Sequence, residues 1–315
     1  MAYPTDLVER FTDPAQQSSF PAHWGLTFTK TVHNNLYPSI EPSKFSRSFS
    51  DAYTVVVVGA SQGIGEYIAR AYAEAGVKNI VLMARNENKL QNVKVELEKI
   101  AKGEIKVSIV IGDATKPESY TEFAEVIAKS YGGRIDCLVC NAGGGYGETL
   151  WEPKLQNTSP EEFMGLTEIN YHAAFLAAQK LVPFVVESEG KTVINITSAA
   201  CHMVDMPPYG YSIAKLALNR FTESLAAIYK DEGLLAVALH PGTVVTPGVE
   251  ERAPHLIPML KDDVRLCAGV CSWLGATRPQ WLSGRYMAVN WDVDELFAMR
   301  DEIVNKDKLK FRMVV

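Results

Sequence analysis

Short apolar runs and longer amphipathic stretches succeed one another along the chain. Residues 55–58 are four consecutive valines, short and β-branched enough to read as a strand buried on both faces. The stretch 66–75 follows with helical spacing of its apolar positions. The alternation returns down the chain, predicting further strands at 79–83, 106–111, 135–140, 192–198, 235–239 and 285–290. Repeated βα units of this kind argue an α/β fold, a doubly wound parallel sheet of about seven strands with helices on both faces. A helix capped near Ser159-Pro160-Glu161-Glu162 carries Asn170 within its run, a residue mildly unfavourable in a helix interior. Segment 243–260 is mixed, a helix runs on through Trp273, and Asp292 with Glu295 resembles a capping box opening a C-terminal helix.

Residues 1–50 break the alternation. They are rich in Pro and Ser yet hold Phe11, Phe20, Trp24, Phe28, Tyr37, Phe45 and Phe49, too aromatic for a solvated tail. An irregular N-terminal arm is expected, packed on the domain or on a neighbouring subunit. The remainder, 51–315, is expected to be a single domain with a substrate lid around 243–262. A chain of 315 residues with 47% hydrophobic content can bury one large core without a second domain.

The chemistry-bearing residues gather where strands end. Gly59-Ala60-Ser61-Gln62-Gly63-Ile64-Gly65 joins the first strand to its helix. Glycines there let the backbone turn sharply and approach a pyrophosphate seated on the helix N-terminal amides, the Rossmann-type arrangement. About 20 residues past the last glycine an NAD-preferring site carries an acid for the ribose 2′-hydroxyl. Ala84-Arg85 stands there instead, leaving room and a cation for a 2′-phosphate; taken alone, a solvated loop arginine accounts for Arg85 equally well. The third strand ends at Gly112-Asp113 and the fourth at Asn141-Ala142-Gly143-Gly144, along the sheet edge where open α/β folds bind ligands.

The stretch 192–215 is the most informative. Its apolar run ends at Ser198, and Tyr211 and Lys215 share one face of the next helix. A free phenol titrates near pH ~10, and an ammonium held beside it lowers that value. Tyr211 can then pass a proton near neutral pH, while Ser198 offers a hydroxyl to a carbonyl or alcohol oxygen. A lone Tyr-x-x-x-Lys is usually a surface pair; here its surroundings favour chemistry. Tyr209, the rival phenol, has Ile213 rather than a lysine one turn on.

Charge and cysteines narrow the rest. A net charge of −6 with scattered basic residues provides no footprint for nucleic acid or an anionic membrane. The apolar runs fall short of a membrane span, and the N-terminus lacks the regions of a signal peptide, so the cytoplasm is the expected compartment. Five cysteines, an odd number, suggest reduced thiols. Cys137 and Cys140 have C-x-x-C spacing but lie in a strand, pointing to opposite sheet faces. Six histidines show no ligand spacing, and no metal is expected. His202 reads as a solvated loop residue, with substrate contact as the alternative; packing or capping is expected of His172 and His240. Three segments are expected to bring apolar side chains to the sheet edge: Tyr146, Trp151 and Leu155; Met203, Val204 and Met206; and Leu256 to Leu260. Arg252 and Lys261 are placed on solvated helix faces, so a sizeable apolar substrate is expected.

Together these residues resemble the short-chain dehydrogenase/reductase family, in its compact single-domain branch, over roughly residues 53 to 290. Gly59, Gly63 and Gly65 match its cofactor glycines, with Ser61 and Ile64 in the same turn. Asp113 matches its adenine contact, and Asn141-Ala142-Gly143 its motif near the cofactor. Asn170, Ser198, Tyr211 and Lys215 match its catalytic tetrad in order and interval. Pro241-Gly242, with Val244 and Thr246, matches the segment that holds the nicotinamide carboxamide. Two departures stand out: Gln62 occupies a turn position where many NADP-dependent relatives carry a basic residue, and the loop after Asn141 is long. The resemblance implies hydride transfer between a nicotinamide cofactor and a ketone or secondary alcohol. Tyr211 would be the general acid or base, Ser198 the oxygen binder, Lys215 the ribose holder and Asn170 the placer of a relay water. NADP(H) is the expected cofactor, with NAD(H) possible, and a homodimer or homotetramer the expected assembly. The arm and the ending near Asn290-Trp291-Asp292 are similar to fungal members, many of which serve secondary metabolism. A non-redox protein on the same fold, a regulator or an isomerase or cyclase, is the alternative.

Overall fold

The computed structural model describes residues 21–144, 154–204 and 208–313. Seven parallel strands form one sheet: β1 (Thr54–Val58), β2 (Asn79–Ala84), β3 (Lys106–Ile111), β4 (Cys137–Cys140), β5 (Thr192–Ile196), β6 (Leu235–His240) and β7 (Arg285–Ala288). Their order is β3-β2-β1-β4-β5-β6-β7. The direction of winding reverses between β1 and β4, and a crevice opens at the carboxyl ends of strands flanking such a switch point.

Alternation of side chains along β1 divides the core in two. Val55 and Val57 face the layer built by helices Gly63–Glu74, Glu87–Ile100 and Val264–Thr277, while Val56 and Val58 face Ser119–Ser130, Ala173–Val186 and Tyr209–Ile228. Cys137 and Cys140 likewise fall on opposite faces. Burial pushes both thiols up to about 12, which leaves them protonated and unreactive.

Most elements match the sequence pattern within a residue or two, and the exceptions have local causes. The first helix starts at Gly63, inside the glycine turn, rather than at Glu66. β7 ends at Ala288, two residues before the expected Asn290, where the chain turns to bond with the arm. The run holding Asn170 is not regular helix but a π turn, Glu168–His172, between Pro160–Thr167 and Ala173–Val186. The mixed segment resolves into a short helix, Pro247–Arg252, and a 3-10 turn, Pro254–Met259.

The described part of the arm packs on its own domain. Ile40 is fully buried, Trp24 and Tyr37 nearly so. The indole of Trp291 donates to Gly25 O at 2.7 Å, and the Tyr37 hydroxyl accepts from Val293 N at 2.9 Å. Asp292 caps the following helix through Asp294 N and Glu295 N. The expected capping box is half formed, because the Glu295 carboxylate turns away and accepts from Lys30 N, Thr31 N and the Thr31 hydroxyl. Phe11 and Phe20 lie outside the described residues. No described helix is long and apolar enough to cross a membrane.

Candidate active site

The crevice at the switch point is a cavity of about 940 Å³, within the size range of small-molecule sites. Its floor at the β1 and β4 ends is backbone. A Cβ on Gly59 would stand 2.7 Å from Ala142 N, and one on Gly65 would collide with Gly59 O. Only glycine permits this closeness, and Asn141 Nδ2 fixes it by donating to Gly59 O at 2.8 Å. Gln62, at the N-cap, makes no side-chain bond to the first-turn amides. Those amides face the cavity with their positive dipole end, an arrangement suited to a pyrophosphate.

Farther along, β2 delivers Arg85 to the cavity and β3 delivers Asp113. Asp113 Oδ1 accepts from Thr115 N and Thr115 Oγ1, both at 2.9 Å. Partial burial pulls its pKa up, but the Thr115 bonds and the nearby Arg85 and Lys116 charges outweigh it, and the carboxyl titrates below its ordinary value. The sequence reading missed Lys89. Asn86 caps the helix Glu87–Ile100 by accepting from Lys89 N at 2.9 Å, and the Lys89 ammonium bonds the Gln62 amide oxygen. Both Arg85 and Lys89 are exposed and line the cavity. A basic group thus stands beside Gln62, brought there from the next helix, a pairing visible only once the turn and helix are docked.

On the β5 side the reactive side chains converge. Ser198 sits two residues past β5, its hydroxyl accepting from Ala200 N at 3.2 Å and opening the turn Ala199–His202. Tyr211 lies in the first turn of helix Tyr209–Ile228. One turn on, the Lys215 Nζ lies 5.6 Å from the Tyr211 ring centre and donates to Ile196 O at 2.8 Å. Lys215 is only 3% exposed, and burial lowers its pKa to about 8, against a smaller opposing pull from Cys201. Ser198, Tyr211 and Lys215 all line the cavity, as do Ser61, Gly63, Ile64, Asn141, Ala142 and Gly143 of the proposed cofactor side. Pro241, Gly242, Val244 and Thr246 close it from the β6 end.

Two sequence-derived candidates stand elsewhere. Gly65 lies behind the wall, in close packing with Gly59. Asn170 is also absent from the wall: it is 1% exposed, its Oδ1 accepts from Gly144 N at 2.9 Å, and its Nδ2 donates to Gly144 O and Leu166 O at 2.7 and 3.0 Å. Here the amide braces the strand-end loop beside Gly143.

One further reading changes. His202 is not a solvated loop residue. It is packed between Tyr286 and Phe311, with ring centres at 4.7 and 4.9 Å, and burial lowers its pKa to about 4. His240 packs and caps as expected: it is buried and accepts from Ala199 N at 3.2 Å, so it supports the Ser198 turn in neutral form. Arg252 is half exposed at the end of the helix Pro247–Arg252, the solvated helix face expected of it, and it also lines the cavity, beside Glu251 at 3.9 Å. Of the expected apolar segments, Met203, Leu256, Met259 and Leu260 reach the cavity, whereas Val204 is 91% exposed and Leu155 68% exposed, both outside its wall. Tyr146, Trp151 and Met206 lie outside the described residues.

A dinucleotide crevice with a tyrosine and a buried lysine at its end defines an NAD(P)-dependent oxidoreductase. The chain belongs to the short chain dehydrogenase family, whose model matches residues 53–256. It is 46% identical over 306 residues to the short chain dehydrogenase pgmD of Aspergillus terreus, covering 95% of this chain and 97% of that one. It is 32% identical to the short chain dehydrogenase mpl6 of Monascus purpureus, over 94% of this chain and 100% of the other. A short chain dehydrogenase of Shigella flexneri complexed with NADP shares the fold, with a TM-score of 0.68 at 23% identity over 75% of this chain and 96% of that one.

Proposed function

We propose that this protein is an NADPH-dependent carbonyl reductase, running in reverse as an alcohol dehydrogenase, on an apolar ketone or secondary alcohol. The observation that carries it is the convergence of Ser198, Tyr211 and Lys215 on the cavity that is also lined by Gly59, Ser61, Gly63 and Ile64 of the glycine turn, Arg85 and Asp113. When bound, the nicotinamide supplies the hydride equivalent for the carbonyl carbon and is oxidised as the ketone is reduced. Ser198 holds the carbonyl oxygen by donating its hydroxyl proton. The Tyr211 phenol delivers its proton to that oxygen as negative charge develops there, and is reprotonated from solvent. Lys215, protonated below about pH 8, stabilises the phenolate that remains and donates to the ribose hydroxyls. Asn170 acts as a positioning residue through Gly144.

Apolar Met203, Leu256, Met259 and Leu260 support an apolar substrate, and the cations at that wall have acids within reach: Arg252 near Glu251, Lys116 at 3.6 Å from Glu168. Arg85 and Lys89 support the choice of NADPH. A cytosolic homodimer or homotetramer serving secondary metabolism completes the proposal; the fungal relatives support the setting, and Ile213 and Leu216, exposed on the Tyr211 helix, offer an apolar face to a second copy.

The test is Tyr211→Phe, which keeps the ring and removes the acid. Screened against ketones by nicotinamide absorbance, turnover should fall by roughly 10² or more with NADPH affinity unchanged. Wild-type turnover in the variant would remove Tyr211 from the chemistry, and a wild type inert toward every ketone and alcohol would favour a non-redox role.

A further inference from the structure

The N-terminal arm reaches the active-site cavity. Leu26 lines it, packed with Trp24 against Ala199, which follows Ser198 and opens its turn, and Met203, which closes that turn. The backbone around Leu26 is held on both sides. The turn Ala22–Trp24 closes through Gly25, whose N–H donates to Ala22 O at 3.0 Å and whose φ of 71° suits glycine. From behind, the fully buried Trp291 donates its indole N–H to Gly25 O at 2.7 Å and packs on Phe28 with ring centres 5.0 Å apart. Leu26 is therefore held between two anchored neighbours, so its side chain stands as a fixed wall.

We propose that Leu26, backed by Trp24, is a specificity-determining residue: it borders the space beside the Ser198 oxygen site and limits the bulk of the group carried on the substrate's carbonyl carbon. This rests on the ketone-reductase reading of the same site. The ligand chemistry implied is a flat or branched apolar group, since Leu26 and Met203 present carbon and sulfur atoms to it.

The experiment uses the full chain with NADPH and three ketones of rising bulk: acetophenone, 1-acetonaphthalene and 9-acetylanthracene. Leu26→Ala should raise the kcat/KM ratio of the largest to the smallest by about tenfold, mainly through KM, and Leu26→Trp should lower it by about tenfold. Leu26→Met, of similar volume, should keep the wild-type ratio, and NADPH affinity should stay constant in all three. A merely structural role would lower activity toward every ketone together and leave the ratio in place. An unaltered ratio in Leu26→Ala and Leu26→Trp, with wild-type turnover intact, overturns the wall alone. A wild-type protein that neither binds nor reduces any of the ketones overturns the reductase reading and the wall with it.

Discussion

Lys215 is held in a costly place. Its ammonium has three donors and is nearly excluded from water, yet among the described residues it makes one hydrogen bond, to Ile196 O. Burial lowers its pKa from 10.5 to about 8, so the folded state holds this proton less tightly than the unfolded chain does. The charge therefore opposes folding below pH 8, by ~3 kcal/mol, and that penalty fades as pH rises toward 10.5. Lys215→Met should accordingly raise the melting temperature of the cofactor-free protein at pH 7 while weakening NADPH binding. A calorimetric scan showing a lower melting temperature would contradict this account. The wild-type affinity for NADPH should also fall as pH passes 8, because the ribose loses a charged donor; the Met variant should show no such slope when titrated by fluorescence. Asn170 shows the same economy at one residue, since its mild conflict with a regular helix is met by the π turn that aims its amide at Gly144.

At the scale of elements, the cofactor end is built by neighbours that the chain separates. Gln62 opens one helix and Lys89 sits in the first turn of another, and their side chains meet beside Arg85 at the cavity. On the NADPH reading, two exposed cations here would offer a 2′-phosphate more than one partner, each charge-assisted contact contributing on the order of 1.5 to 3 kcal/mol. Arg85→Ala and Lys89→Ala should each reduce the preference for NADPH over NADH by about tenfold, and the double variant should remove it. Equal affinity for the two cofactors in the wild type, measured by calorimetry, would refute the role of both residues.

Across the whole molecule the arm acts as a clamp. Asp262 accepts Asn34 Nδ2 and Asn290 Nδ2 through Oδ1, at 2.6 and 2.9 Å, and Thr243 N and Oγ1 through Oδ2. One carboxylate thus ties the arm, the end of β7 and the segment that begins at Thr243. Ile40 adds full burial against the helix Val264–Thr277, so close to Gly269 that a Cβ there would lie 2.7 Å from Ile40 O. Removing residues 1–45 should expose that helix, lower the melting temperature by on the order of 10 °C and, with Leu26 gone, shift the preference toward bulkier ketones. An identical melting curve in the truncated protein would show the arm to be a passive tail.

Local pattern was enough for the sheet, its seven strands and the placing of Ser198, Tyr211 and Lys215, because each rests on short-range physics: β-branched runs, glycine turns, and residues four apart on one helix face. The aromatic content of residues 1–50 likewise predicted a packed arm, and its described part, 21–50, packs on the domain. The sequence could not show where that arm docks, since Trp291 and Gly25 meet across 266 residues. For the same reason Leu26, Lys89 and Arg252 entered the cavity wall only with the tertiary structure, while His202 left solvent for a slot between Tyr286 and Phe311. Each of these depends on which surfaces pack together, and side-chain burial is set by partners far along the chain rather than by neighbours in it.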